Sequence, residues 1–391
     1  MENLLFSQSD VADPFTMYRR HLLDQPVAWD EANRIWAVYR HADCKRLLQS
    51  EAAHIPALNP DSERQLGATA RLVAGRLARL ANPPSHAGFR QVLMRLFEQL
   101  RPPAVAGLLN ELLGDAARVD WVDAVCTRLP LLAVLKGFGF AGGDIERLLP
   151  LGARLTQVML PNKSPQQLAD VDEVIDAVYP VVDRHLRSCS GLLVPEDDEE
   201  TRAVLNANLI GMLIQSVDAG RGLLANVLLQ AMRQAEAPAR LDAAQWRAWV
   251  TETLRFDPPI HNTRRVLTED MQIGGSLLRR GDTVLLVLAA ANRDPAMFER
   301  PDEFDPRRAG NETHLAFGDG MHRCAARHFA EALAAEAMAA LFAGYRVRLE
   351  EREIAYAPLV NARLVQKIMV EVERIQDDAR EYCTVTVPLK S

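Results

Sequence analysis

The run Phe317-Gly318-Asp319-Gly320-Met321-His322-Arg323-Cys324 decides how this chain is to be read. Two glycines, a histidine and a cysteine at fixed offsets after a phenylalanine suit a tight loop that presents one sulfur and then enters a helix near Ala325. The other four cysteines, Cys44, Cys126, Cys189 and Cys383, are scattered and form no C-x-x-C pair, so zinc sites and iron–sulfur clusters lack the spaced thiolates they need. A lone sulfur ligand points instead to haem iron.

Working outward, the 391 residues are 48% hydrophobic and 25% charged, enough for a large core built as one big domain or two intimately packed lobes. No apolar run reaches the roughly 18 residues that a membrane span requires, and Met1-Glu2-Asn3-Leu4-Leu5-Phe6 lacks the basic start and long apolar stretch of a signal peptide. Together with the scarcity of cysteine, this predicts a soluble, cytoplasmic protein. A net charge of −7 without a long basic block argues against a nucleic-acid function.

The periodicity is mostly helical. Pro14 to Leu48 reads as helix, strand, turn, strand (Val27-Ala28-Trp29, then Ile35 to Tyr39) and helix; 86–100, 103–117 and 166–188 carry helical apolar spacing. Asn208 to Met232 is a long apolar segment without proline that should cross the centre of the protein. Asp282 to Leu288 reads as a buried strand, Arg293 to Gly320 as an irregular meander, and Ser188 to Glu200 as a solvated loop.

The cysteine loop resembles the haem-thiolate signature F-G-x-G-x-H-x-C-x-G of the cytochrome P-450 superfamily. Phe317, Gly318, His322 and Cys324 match it, and Ala326 stands where the signature ends in glycine. The resemblance runs from the strand pair near Trp29 to Val372. It implies a mainly α fold with a small β region, a single domain over 1–391 and a C-terminal extension at 376–391 that is a strand, a clasp on a partner or a tail. It also implies haem b with Cys324 as axial thiolate, favoured by ferric iron, backbone N–H groups and the positive end of the following helix.

Further motifs follow the same resemblance. Glu252-Thr253-Leu254-Arg255 places a carboxylate and a guanidinium on one helix face, and Phe304-Asp305-Pro306-Arg307-Arg308 resembles the family's F-x-P-x-R. The implied arrangement is a buried Glu252–Arg255–Arg308 network that locks the meander. Asn82-Pro83-Pro84-Ser85-His86-Ala87-Gly88-Phe89-Arg90 resembles the segment whose His and Arg reach the haem propionates, and Arg265 and His322 match two further propionate positions.

The long central helix departs from the family's A-G-x-[DE]-T. In one register Gln215-Ser216-Val217-Asp218-Ala219 puts Asp218 on the acid and Ala219 on the threonine; one residue later, Ala219 and Gly220 take those places. Either way the alcohol is missing, and the proton relay falls to ordered water, Gln215, Ser216 or a hydroxyl on the substrate. Substrate candidates are Leu213, Gln215, Ser216, His261, Asn262, Val360 and Asn361, beneath a roofing loop at 53–72; Asn and His there would suit a small peptide, cyclic dipeptide or natural-product intermediate.

The expected activity is monooxygenation of a small organic molecule with dioxygen. Electrons would come from a ferredoxin or flavodoxin-type donor docking on Arg323, Arg327 and His328, with Arg95 and Arg101 nearby. Two alternatives stand beside it: a peroxide-driven or atypical haem-thiolate enzyme performing coupling, desaturation or rearrangement, and a haem protein without turnover.

Overall fold

The structure is a computed structural model that describes residues 4–160, 162–188, 198–234, 241–350 and 353–375. Most of the solvated-loop reading at Ser188–Glu200 and all of 376–391 lie outside the described residues.

The chain opens with α1 (Pro14–Asp24), β1 (Val27–Asp30), β2 (Ile35–Val38), α2 (His41–Gln49), β3 (Ala53–His54), α3 (Pro60–Gln65), α4 (Ala68–Ala74), α5 (Ser85–Gln99), α6 (Val105–Leu113) and β4 (Arg118–Asp120). A π-helical turn leads into α7 (Leu129–Gly137), α8 (Gly142–Leu148), α9 (Gly152–Leu155), α10 (Pro165–Ser188) and the long α11 (Glu199–Arg233). Then come α12 (Ala243–Phe256), β5 (Thr263–Leu267), the hairpin of β6 (Met271–Ile273) and β7 (Ser276–Leu278), β8 (Thr283–Leu286), α13 (Leu288–Ala291), α14 (Arg327–Gly344), β9 (Tyr345–Leu349) and β10 (Met369–Arg374). The fold is mainly α with small sheets.

Three boundaries differ from the sequence reading. The helical spacing over 103–117 ends at Leu113, because Gly114 turns the chain with φ 55° and Arg118–Asp120 pair antiparallel with β10. The roofing stretch at 53–72 contains β3, α3 and the start of α4. The helix after the cysteine begins at Arg327 rather than near Ala325.

The larger sheet runs β1-β2-β8-β5-β3, with β2 and β8 parallel and the other pairs antiparallel. Alternation along β5 sends Arg265 and Leu267 to its buried face. The smaller sheet is β4-β10-β9.

Helix α11 is capped by Asp198, whose side chain accepts the Thr201 N–H at 2.7 Å. Its first half packs with α4, α5 and α10 in one core cluster, and its second half with α7, α12 and α14 in another. Burial is continuous from Val204 to Ile214 and from Gly222 to Ala231. Between these stretches the pattern breaks: Gln215 and Ala219, four apart and so on one face, are exposed in the middle of an otherwise buried helix.

The two ends of the described chain meet. Arg363, over the ring of Tyr356, donates to the carbonyls of Gln8 (3.0 Å), Val11 (3.1 Å) and Ala12 (2.8 Å), and Leu359 accepts the Gln8 N–H at 2.8 Å.

Candidate active site

The cysteine loop is built as a tight fold-back. Phe317 O accepts the Cys324 N–H at 2.9 Å, and Gly318 and Gly320 adopt φ of 67° and 64°, which side-chain-bearing residues avoid. A Cβ on Gly320 would also collide with the Leu48 carbonyl at the end of α2. Asp319 accepts its neighbour's N–H from Gly320 and the Gln49 amide at 3.0 Å, fastening the loop to α2. Ala326 caps α14 at φ −84°, a conformation open to any residue, so glycine is not required there.

Burial pushes the Cys324 thiol up; the Ala326 N–H and the guanidiniums of Arg79, Arg90 and Arg327 oppose it without overcoming it. A bound metal cation would supply the remaining push toward thiolate.

Around this sulfur the fold gathers cations and imidazoles from four distant stretches. His86 and His322 lie ring to ring at 4.4 Å, and Arg90 donates to the Arg323 carbonyl at 2.8 Å. Arg265 is 3% exposed; two of its bonds go to its own strand, at Thr263 Oγ1 and Arg264 O, and its Nε has no partner. Both ring nitrogens of His322 are buried without partners. Desolvation and then the neighbouring positive charges hold His322 down to about 3, and desolvation and then Arg79 bring Arg265 to about 10. No carboxylate figures among the charges acting on His86, Arg90, Arg265 or His322.

Orphaned donors and uncompensated guanidiniums around one sulfur fit a planar macrocycle that brings an iron to Cys324 and two carboxylates to the rim. Arg79 joins the cluster although nothing in its local sequence singles it out. Its inward direction is set by contacts far along the chain, described below.

Glu252, Arg255 and Arg308 come together, the first two fully buried and Arg308 half-buried. Arg255 makes a two-pronged pair with Glu252 (2.8 and 2.7 Å) and donates to the carbonyls of Asn292, Pro301 and Glu303. Arg308 Nε reaches Glu252 Oε1 at 3.3 Å, and the Asp305 N–H reaches the same oxygen at 3.0 Å. The meander is thereby tied to α12.

On α11 the candidates divide. Gln215 and Ala219 occupy the exposed break, and Ser216 is half-buried with its hydroxyl donated to Leu213 O at 2.8 Å. Gln215 Nε2 donates to Gly211 O at 3.0 Å. Asp218 is half-buried; desolvation raises its pKa against the pull of Arg221. Gly220 does not share that face, since a Cβ there would meet Pro130 of α7 at 2.8 Å. Leu213, expected at the substrate, is fully buried in the core cluster.

The polar substrate candidates near Pro259 are also corrected. His261 is 0% exposed, its Nδ1 bonded to the Tyr18 hydroxyl at 3.1 Å and its pKa driven far down by burial. Asn262 donates its amide to Val360 O at 2.9 Å. Both stitch strands and termini, roles that residue type at a loop end does not reveal. Asn361 is exposed and Val360 half-buried.

A sequence profile of the Cytochrome P-450 family matches residues 230–365. Cytochrome P-450 144 of Mycobacterium tuberculosis (strain CDC 1551 / Oshkosh) is 26% identical over 368 residues, covering 82% of this chain and 80% of that protein. The 6-deoxyerythronolide B hydroxylase of Saccharopolyspora erythraea is 29% identical over 282 residues, covering 67% and 69%. The crystal structure of CalO2 superimposes with a TM-score of 0.81 at 23% identity, over 95% of this chain and 99% of that one, which is a likeness of fold. With the cysteine loop and the cation-ringed recess beside it, these likenesses support the cytochrome P-450 superfamily of haem-thiolate monooxygenases, bacterial type.

Proposed function

We propose that this protein, acting as a single domain in the cytoplasm, hydroxylates a small natural-product molecule with dioxygen and with electrons from a ferredoxin or flavodoxin-type donor. The observation that carries the reading is the recess itself: Cys324 ringed by His86, Arg90, Arg265 and His322, with the uncovered face of α11 presenting Gln215 and Ala219. When bound, haem on a cysteine thiolate supplies dioxygen binding and O–O cleavage.

The chain's own residues hold and shape that centre. Cys324 would hold the iron through its sulfur, His86, Arg90, Arg265 and His322 would hold the carboxylates, and Phe317, Gly318 and Ala326 set the loop. Glu252, Arg255 and Arg308 fix the meander from which the loop departs. Ala219 leaves an alcohol-free wall. Ser216 has committed its hydroxyl hydrogen and Gln215 one amide hydrogen to backbone carbonyls, so proton delivery falls to ordered water or to a hydroxyl on the substrate. Asp218, with its raised pKa, keeps its proton to higher pH than an ordinary aspartate and so serves as a donor to that water.

With His261 and Asn262 engaged elsewhere, Gln215 and Asn361 remain as the exposed amides among the substrate candidates. That weakens the small-peptide reading. It supports an oxygenated, hydroxyl-bearing natural product, in keeping with relatives named as 6-deoxyerythronolide B hydroxylase and erythromycin C-12 hydroxylase. The missing alcohol at Ala219 also favours a second reading, peroxide-driven oxidation.

An optical titration of the ferric protein with macrolide-like, terpenoid, aromatic and cyclic dipeptide panels tests the substrate class. A Soret shift with hydroxyl-bearing compounds and none with their deoxy analogues is expected. A shift with cyclic dipeptides alone would overturn the assignment. Product formed with peroxide but never with an electron donor would select the second reading.

A further inference from the structure

We propose that Arg79 is a further haem-binding residue, its guanidinium pairing with a haem carboxylate beside Arg265 and His322; this rests on the haem-thiolate reading.

The backbone around Arg79 is pinned on both sides by side chains from elsewhere. Upstream, Asn208 of α11, 3% exposed, accepts the Ala78 N–H at 2.9 Å and donates to Arg76 O at 2.9 Å. Downstream, Asn82 accepts the Ile55 N–H and donates to Ile55 O, both at 2.9 Å. Between the clamps, Leu80 and Ala81 fold back on Leu77 O, and Leu77 and Ala78 are 1% and 3% exposed. Arg79 thus stands on a turn whose position and direction are fixed before any ligand arrives.

Its side chain is half-buried, with the guanidinium turned toward the recess. The guanidinium acts on the Cys324 thiol, on His322 and on Arg265, three groups from the far end of the sequence. Among the described residues no carboxylate is paired with it, and the only charge that favours its cationic form is the Cys324 sulfur. The guanidiniums of Arg90 and Arg265 have no acid between them and repel one another beside imidazoles held neutral, and a rigid turn that adds a third guanidinium makes sense only for an anion. A haem carboxylate is the anion that fits this rim, since Arg79 converges with Arg265 and with the His322 nitrogens that have no partner.

The test is a comparison of haem retention. Wild type, Arg79→Gln and Arg79→Lys are loaded with haem or with haem dimethyl ester, which lacks free carboxylates, and haem transfer to excess apomyoglobin is followed at the Soret band. Arg79→Gln is expected to lose haem about tenfold faster than wild type, with Lys recovering part of the loss, and the difference should vanish with the ester. Equal retention of haem by wild type and Arg79→Gln would overturn the proposal, as it would if Arg79 served a substrate carboxylate instead. A defect that persists with the ester would also overturn it, by making Arg79 merely structural. Should Arg79→Gln fail to fold by circular dichroism, Arg79→Lys carries the same comparison. Failure of wild type to take up any haem would sink the haem-thiolate reading itself.

Discussion

Replacing Glu252 by Ala would leave Arg255, 0% exposed, with carbonyls alone to answer its charge, and would release Arg308 and the Asp305 N–H together. A loss of about 3–5 kcal/mol is expected in denaturant unfolding, against under about 1 kcal/mol for removing the exposed Arg64–Asp61 pair. Ala219 lies on the uncovered face of α11, so Ala219→Thr should leave stability unchanged yet alter the fraction of electrons that reaches product; unchanged coupling would mean that the absent alcohol carries no consequence. At this scale the sequence was readable wherever residue identity itself is the chemistry, as in the cysteine loop and the Glu252–Arg255 spacing. It was opaque where direction depends on distant partners. Arg79 looks like any helix-end arginine until Asn208 and Asn82 are placed around it, and His261 looks available until Tyr18 arrives from 243 residues away.

Among the elements, α11 is the one whose faces differ most. A Cβ at Gly222 would lie 2.5 Å from Pro259 Cβ and 2.6 Å from Leu364 Cδ2, with no room to yield on the proline side. Gly222→Ala should therefore cost about 1–3 kcal/mol in thermal or denaturant unfolding, although Ala is the better helix former. Asp218 adds a pH signature to the same helix. Its folded pKa is raised, so the folded state holds the proton more tightly than the unfolded one, and its penalty grows as pH climbs from the ordinary aspartate value to the raised one. Asp218→Asn should therefore gain stability over wild type across that interval and hold a constant advantage above it, as urea midpoints at a series of pH values would show. Apolar spacing located α10 and α11, but not which arc of α11 stays uncovered, because that arc is defined by what does not pack on it. Short elements such as β3 and α3 carry too few residues to show a period at all.

For the molecule as a whole, two charge effects are expected. His261 and His314 are buried and neutral, held far below the ordinary imidazole range by desolvation, His314 at about 3. The unfolded chain therefore binds protons that the folded one refuses, and stability should fall as pH drops from about 6.5 toward about 3. His314→Gln should flatten that acid limb in urea titrations. The second effect concerns docking: Arg323 is exposed and Arg327 half-buried beside the cysteine loop, on a chain of net charge −7. Reduction by an acidic donor should slow steadily as salt rises, and Arg323→Glu should remove most of that dependence.

The latch made by Arg363 bears on the order in which the protein is made. The carbonyls of Gln8, Val11 and Ala12 leave the ribosome 351 to 355 residues ahead of the arginine that holds them. At ordinary rates of synthesis that interval is about 20–70 s. Throughout it those carbonyls lack Arg363, although the Tyr18 hydroxyl gains its partner His261, 243 residues on, before Arg363 is made. Every helix between these residues is therefore synthesised before the contact can form, a seam drawn shut over elements already made.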